Sequence, residues 1–243
     1  MFDARRLILF FLIPGAAFAQ PIVTDRPGFL FSSLTVGRGV LQTEWGIPAV
    51  TVNADTHLIS LFGLVRYGMT PDFELRLDGP LYNQSNGHES GYGDLEIGAK
   101  WHLTDNQGAR PSFALIPSVT FPAGQKGFSA GRPVYQLNAM AEWTLPEGWG
   151  AGALAGYLNG PADGGQSRRY GQGTFAVSLG RSLPSPKWSA YGEAVWLTTD
   201  PWFVGGGIKY LASNDLQLDL SFDRGLTSDS PDWLFGLGIA ARF

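Results

Sequence analysis

The chain has 243 residues, of which 16% are charged and 13% aromatic, with 33 glycines, no cysteine, a net charge of −4 and a mean hydropathy near zero. A water-soluble core protein usually carries more charge, and a helical membrane protein is far more apolar. The lack of cysteine excludes a disulfide framework or a thiolate metal site, and the acidic balance argues against nucleic-acid binding, which usually wants a basic surface.

The amino terminus carries Arg5 and Arg6, then the short apolar run Leu7–Ile13, then Ala17-Phe18-Ala19 before Gln20. This order predicts a signal peptide over residues 1–19. Its apolar run is too short to anchor a helix, since a span needs about 20 residues. Removing it takes away Asp3, Arg5 and Arg6, one net positive charge, so the mature chain carries −5. No later segment is apolar over a spanning length, which excludes helical insertion.

Residues 20–37 are irregular, with Pro21 and Pro27 bracketing Asp25 and Arg26. We expect this segment to fold into or under the lumen of a barrel, with Asp25 and Arg26 pairing to charges on the wall. The barrel itself is expected over residues 38–243. From residue 38 the dominant period is two, the mark of strands with one apolar and one polar face. Weaker patterns at Arg38–Ile47 and Thr56–Tyr67 lead into Asp72–Tyr82, where Phe73, Leu75 and Leu77 alternate with Glu74, Arg76 and Asp78. Leu95–Leu103 sets Ile97 and Trp101 against Glu96, Lys100 and His102, and Pro111–Phe121 follows. Tyr135–Trp143 alternates around Gln136, Asn138 and Glu142. Trp149–Leu158, Tyr170–Arg181, Trp188–Leu197 and Trp202–Tyr210 come next, then Leu216–Asp223 with Gln217 and Asp219 on its polar face. The last segment, Trp233–Phe243, alternates to its terminal aromatic. These patterns predict an all-β, antiparallel transmembrane β-barrel of about 12 strands, each near the length that crosses a bilayer at a 45° tilt.

Connection lengths alternate as well. Met69–Asp72, Thr104–Arg110, Pro146–Gly148, Leu183–Lys187 and Ala212–Asp215 form a short set. Pro48–Asp55, Pro80–Gly91, Pro122–Pro133, Asn159–Arg169 and Arg224–Asp232 form a longer one, with Thr198–Pro201 as its short exception. Short periplasmic turns opposite longer external loops are expected of outer-membrane barrels. Tyr67, Phe73, Trp101, Trp143, Trp149, Trp188 and Tyr210 then fall at the periplasmic rim, and Tyr135, Tyr157, Trp196, Trp202 and Trp233 at the external one. Amphipathic rings prefer that headgroup level. About twelve strands should leave a narrow lumen, wider than the filled interior of eight strands and narrower than a porin channel.

The inward parity collects Glu44, Arg66, Glu74, Arg76, Asp78, Glu96, Lys100, Glu142, Glu193, Lys209 and Asp219, with Gln42, Asp94, Asp223 and Arg242 beside them. As pore-lining or ligand-contacting groups they would tune what passes. As ion-paired filler they would stabilise the wall. Acids outnumber bases, which favours cations if water fills the lumen. An enzyme would need a base, and the histidines are His57, His88 and His102. His88-Glu89-Ser90 places a histidine two residues from a serine, but in a loop and with no indicated third member. No metal-ligand spacing and no phosphate-cradling glycine motif occur, so no catalytic residue, metal or cofactor is expected. Lys126, Arg132, Arg168 and Arg169 would form a basic external rim able to meet lipopolysaccharide phosphates.

Thr24-Asp25-Arg26-Pro27-Gly28-Phe29, Leu41-Gln42-Thr43-Glu44-Trp45-Gly46, Leu64-Val65-Arg66-Tyr67-Gly68, Gly93-Asp94-Leu95-Glu96-Ile97-Gly98-Ala99-Lys100 and Pro117-Ser118-Val119-Thr120-Phe121-Pro122-Ala123-Gly124 follow in that order. The series resembles the outer-membrane family of meta-pathway phenol-degradation proteins, often called transporters, over about residues 22–243. The resemblance implies an outer-membrane barrel associated with uptake of small aromatic or hydrophobic compounds, and Phe243 resembles the terminal aromatic read by the barrel assembly machinery. The expected partners are outer-membrane lipid and lipopolysaccharide, that machinery, and a small-molecule solute. The expected function is a narrow passive channel in the bacterial outer membrane. A scaffold or adhesion barrel acting through its external loops, or a barrel enzyme acting on lipid, are the alternatives.

Overall fold

A computed structural model describes residues 20–53, 57–162 and 168–243. The signal peptide expected over residues 1–19 lies outside the described residues. The twelve spanning strands are β1 (Leu41–Val52), β2 (His57–Gly68), β3 (Phe73–Ser85), β5 (Leu95–Thr104), β6 (Ser112–Phe121), β7 (Val134–Thr144), β8 (Trp149–Pro161), β9 (Arg169–Ser182), β10 (Trp188–Leu197), β11 (Trp202–Ser213), β12 (Leu216–Gly225) and β13 (Trp233–Arg242). A three-residue strand, β4 (Glu89–Gly91), extends the β3 hairpin beyond the wall. Each spanning strand pairs antiparallel with its neighbours, and β1 pairs with both β2 and β13. Phe243 N–H donates to the Leu41 carbonyl at 2.8 Å across the seam, so the sheet has no free edge.

The alternation expected from the sequence sorts the side chains by face. Leu75, Leu77, Ile97, Leu137, Val177, Leu179, Leu218, Leu220 and Leu237 are all exposed on the outside. Their polar neighbours Glu74, Arg76, Lys100, Gln217 and Asp219 are buried inside. A barrel with an apolar exterior and a polar interior is an inverted globule, stable only with lipid against its outer surface. The aromatics close this belt at both ends. Trp188 and Tyr210 pack 4.6 Å apart at the lower rim, and Trp196 with Trp202, and Phe222 with Trp233, at the upper one.

The strands differ from their sequence-based bounds at the ends. The first begins at Leu41 instead of Arg38, because Gly37 and Gly39 take left-handed conformations (φ 88° and 76°) that turn the chain out of the lumen. It then continues past Pro48 to Val52, with a bulge between Gly46 and Ala49 where proline has no N–H to pair. The segment Pro80–Gly91, expected as a loop, instead carries the ladder to Ser85 and returns through Asn86-Gly87 (φ 49° and 72°) into β4. β8 and β9 likewise extend upward to Pro161 and Arg169. Backbone groups above the apolar belt still need partners, so cross-strand pairing outlasts the alternation that revealed it.

The lipid face gives a direct check. Leu220 sits mid-strand on β12 with half its surface exposed. Replacing it by Arg puts an unpaired charge in hydrocarbon, at a cost of about 2–4 kcal/mol. Urea unfolding from lipid vesicles should register that loss, whereas Leu220→Ile should leave the midpoint nearly unchanged.

Candidate functional site

Residues 20–40 precede β1 and do not join the wall. They run across the lower half of the lumen and bond to inward side chains around most of the barrel. Ile22 N–H reaches the Asn214 carbonyl at the β11–β12 turn, and Thr24 bonds Gln217 on β12. Ser33 reaches Glu142 on β7 and Ser112 on β6, and Val36 N–H reaches Glu74 on β3. We call this segment the plug, for its position.

Asp25 makes its densest contact. Its carboxylate is ion-paired to Lys100 at 2.7 Å, to Arg66 at 3.7 Å and, closely, to Arg76. Its own backbone N–H donates to Glu44 at 3.0 Å. Arg66 is fully engaged: Nε and Nη2 hold Glu74 at 2.8 and 3.0 Å, and Nη1 holds Glu44 at 2.9 Å. The same guanidinium donates to the plug carbonyls of Val23 and Leu34. Glu44, Arg66, Glu74 and Lys100 have no exposed surface at all. Charges withdrawn from water this completely are tolerable only when paired and hydrogen-bonded on every side. Three cations here face three carboxylates, two from the wall and one from the plug.

Arg26, joined to Pro27 by a cis peptide, points the other way. Its Nη2 donates to Asp219 on β12 at 3.1 Å. The guanidinium lies in a slot made by absent side chains: a Cβ on Gly46 would stand 2.7 Å from Nη1, and one on Gly238 would overlap Nε and Nη2. Gly28 lies against the Glu193 carboxylate, which accepts the Phe29 N–H at 3.0 Å. Beyond it the wall becomes apolar. Met140, Leu154, Ala176, Val195 and Phe203 form a buried cluster on β7–β11, against which Phe29, Leu30 and Phe31 pack. The Phe29 ring stacks on Phe203 at 5.4 Å. Between the plug and this wall a cavity of about 670 Å³ remains at the lower end, lined by Leu30, Phe31, Met140, Tyr191, Glu193 and Lys209 among others.

The inward residues singled out from sequence therefore separate. Glu44, Arg66, Glu74, Arg76, Lys100, Glu142, Glu193 and Asp219 contact the plug or brace a residue that does. Asp78 and Glu96 lie above it as direct cross-strand partners, with Glu96 accepting from Thr120. Lys209 stands 5.9 Å from the Tyr191 ring and has no ion-pair partner among the described residues. Asp94 binds the backbone of Gly124 and Ala130, tying the external loop down at the rim. His102 bonds the Ser33 carbonyl and Asp105 at the lower rim. His88 and Ser90 are exposed on the external hairpin. On the basic rim, Arg169 is held by Asn159 and lies 5.3 Å from the Tyr135 ring. The sequence pattern did not mark Gly46 and Gly238, Ser32 and Ser33, or the apolar cluster. An inward glycine facing a charge was the available signal for the first pair.

Two substitutions probe the site. Arg66→Met leaves Glu44 and Glu74 buried with an insufficient complement of cations, a loss of about 3–5 kcal/mol, read as a lower urea midpoint in vesicles. Gly238→Val fills the slot and should expel the Arg26 guanidinium while β13 keeps its register. An increase in plug hydrogen exchange without loss of the folded barrel's gel mobility is the expected result.

The chain matches the family described as "Putative MetA-pathway of phenol degradation" over residues 24–243. No curated protein matches it. Among solved structures it resembles an outer membrane channel from Pseudomonas putida F1, with a TM-score of 0.62 and 17% identity over 90% of this chain and 99% of that one. It also resembles the KdgM porin crystallised with disordered oligogalacturonate (TM-score 0.56, 10% identity, 84% and 99% covered). The NanC porin is similar at 0.55, with 10% identity and coverage of 83% and 98%. At these identities the likeness is one of fold, and it matches the closed barrel and lipid-facing belt described above. The chain is an outer-membrane β-barrel and belongs to the phenol-degradation pathway family.

Proposed function

We propose that the protein is a passive channel of the outer membrane for small solutes, aromatic or hydrophobic compounds among them, and that the plug is its gate. The observation that carries this reading is how the plug is held. It crosses the lumen through ion pairs, hydrogen bonds and one apolar contact, without entering the β-ladder. A segment meant only to fill the interior could have been built into the wall as larger inward side chains. Here Gly46, Gly236 and Gly238 keep the wall hollow where the plug sits.

The lumen offers a solute two surfaces, a charged one on β1–β5 and an apolar one on β7–β11. An amphipathic small molecule can lie against both, and the lower cavity gives it room beside the plug. We read the protein as a transporter and not an enzyme, since the buried polar groups serve the plug and the His88–Ser90 pair stands apart on the external hairpin. In the same reading the exterior meets lipid and lipopolysaccharide, and the β13 strand with Phe243 serves assembly.

Planar-bilayer recording tests it. The mature protein should conduct weakly, and deletion of residues 20–34 should raise the conductance severalfold, with parallel gains in solute-driven liposome swelling. Unchanged conductance on deletion would remove the gate, and no conductance or flux in either form would remove the channel.

A further inference from the structure

The two halves of the plug's electrostatic contact differ in what withdrawal would leave behind. On the Arg26 side the wall can repair itself. Lys209 is the direct cross-strand partner of Asp219, and Asp219 is occupied by Arg26 and Gln217 while Lys209 has no ion pair among the described residues. Once Arg26 leaves, Lys209 can swing onto the vacated carboxylate, which regains a cationic partner.

On the Asp25 side the nearest further acid is Asp78, two residues from Arg76 on β3, and it already faces Glu96 across the ladder. Glu74 is already held bidentately by Arg66, and Glu44 by Arg66 and Gln42. Removing Asp25 leaves Arg66, Arg76 and Lys100 in direct contact with only two carboxylates, so the socket keeps a net positive charge. That charge draws the Asp25 carboxylate back unless another anion takes the seat. The seat also has a shape. The plug gives Arg76 two contacts, the Asp25 carboxylate and the ring of Phe31, 5.6 Å from the guanidinium. A small aromatic carboxylate carries the same two kinds of group, an anion for the socket and a ring for the guanidinium.

We propose that the socket of Arg66, Arg76 and Lys100 is a carboxylate-binding site, filled by Asp25 in the closed barrel and by a small aromatic carboxylate when the plug is displaced. The inference rests on the channel reading above and narrows it: neutral compounds cannot discharge the socket, so carboxylate solutes are the ones that unseat the plug. The competition is one of acceptors for the same donors, with no covalent step.

The test need not involve transport. Hydrogen exchange of residues 22–36 is followed in the full mature protein in lipid vesicles, with benzoate at tens of millimolar against equal benzamide and against chloride at equal ionic strength. Benzoate should speed plug exchange at least threefold over both controls. In Asp25→Asn, where the competing charge is gone, half of the effect should appear at a concentration at least tenfold lower. Equal exchange in benzoate and benzamide, or chloride as effective as benzoate, overturns the proposal. The wild-type arm decides alone if the variant does not fold. If the plug-deleted barrel conducts while benzoate leaves exchange unchanged, the carboxylate site fails and the channel stands. Should benzoate act on exchange while the deleted barrel passes nothing, the site stands and the channel reading fails.

Discussion

Burying a guanidinium with no exposed surface inside a membrane barrel constrains everything around it. Arg66 satisfies its donors only because Glu44 comes from β1, Glu74 from β3, and two carbonyls from the plug. Glu74 is eight residues away across a tight turn, but the other partners are 22 to 43 residues distant. The closed ladder brings β1, β2 and β3 together in register, so Arg66 lies directly beside Gln42 and Arg76. With two arginines adjacent on neighbouring strands, like charges would repel across the ladder. Asp25 between them turns that repulsion into an ion-pair network, which makes the plug part of the wall's electrostatics.

The plug's sequence follows from the division of the lumen. Within seven residues, Asp25-Arg26-Pro27-Gly28-Phe29-Leu30-Phe31, the chain passes from an acid to a base to a run of apolar side chains. The wall changes in the same order, from the cationic socket on β2–β5, to Asp219 on β12, to the apolar patch on β7–β11. Each residue type meets the surface that can satisfy it. Gly28 fits at the crossing because a Cβ there would press on Glu193.

Much of this was legible in the sequence because period-two alternation is a direct image of a wall with two solvents. Phe73 to Asp78 and Leu216 to Asp223 could hardly be anything else. The blurred pattern in β2 has a physical meaning: Leu58, Phe62 and Leu64 share the inward face with Arg66, on an interior that is apolar in places. Strand ends were less visible, because pairing continues above the membrane where composition no longer alternates. The pairing of particular charges was not visible at all. Inward parity puts Arg66, Glu74 and Lys100 in one lumen, but only the register decides that Asp25 meets Lys100 while Lys209 is left without an ion pair.

Strand number explains why a plug is needed. Eight strands enclose an interior that side chains nearly fill, and sixteen or more leave a wide aqueous channel. Twelve fall between, with a lumen too wide for opposite side chains to meet and narrow enough for one extended segment to bridge. A wall of that size with inward arginines and carboxylates would otherwise hold its charges in water-filled space, weakly paired. Inserting one strand-length of polypeptide covers the charged face of β1–β5 in the lower half and strengthens the ion pairs there. In the upper half Asp78 faces Glu96 across the ladder with no plug residue bonded to either. The two halves thus differ along the axis: Asp78 and Glu96 face each other above the plug, and the socket holding Asp25 lies within its reach.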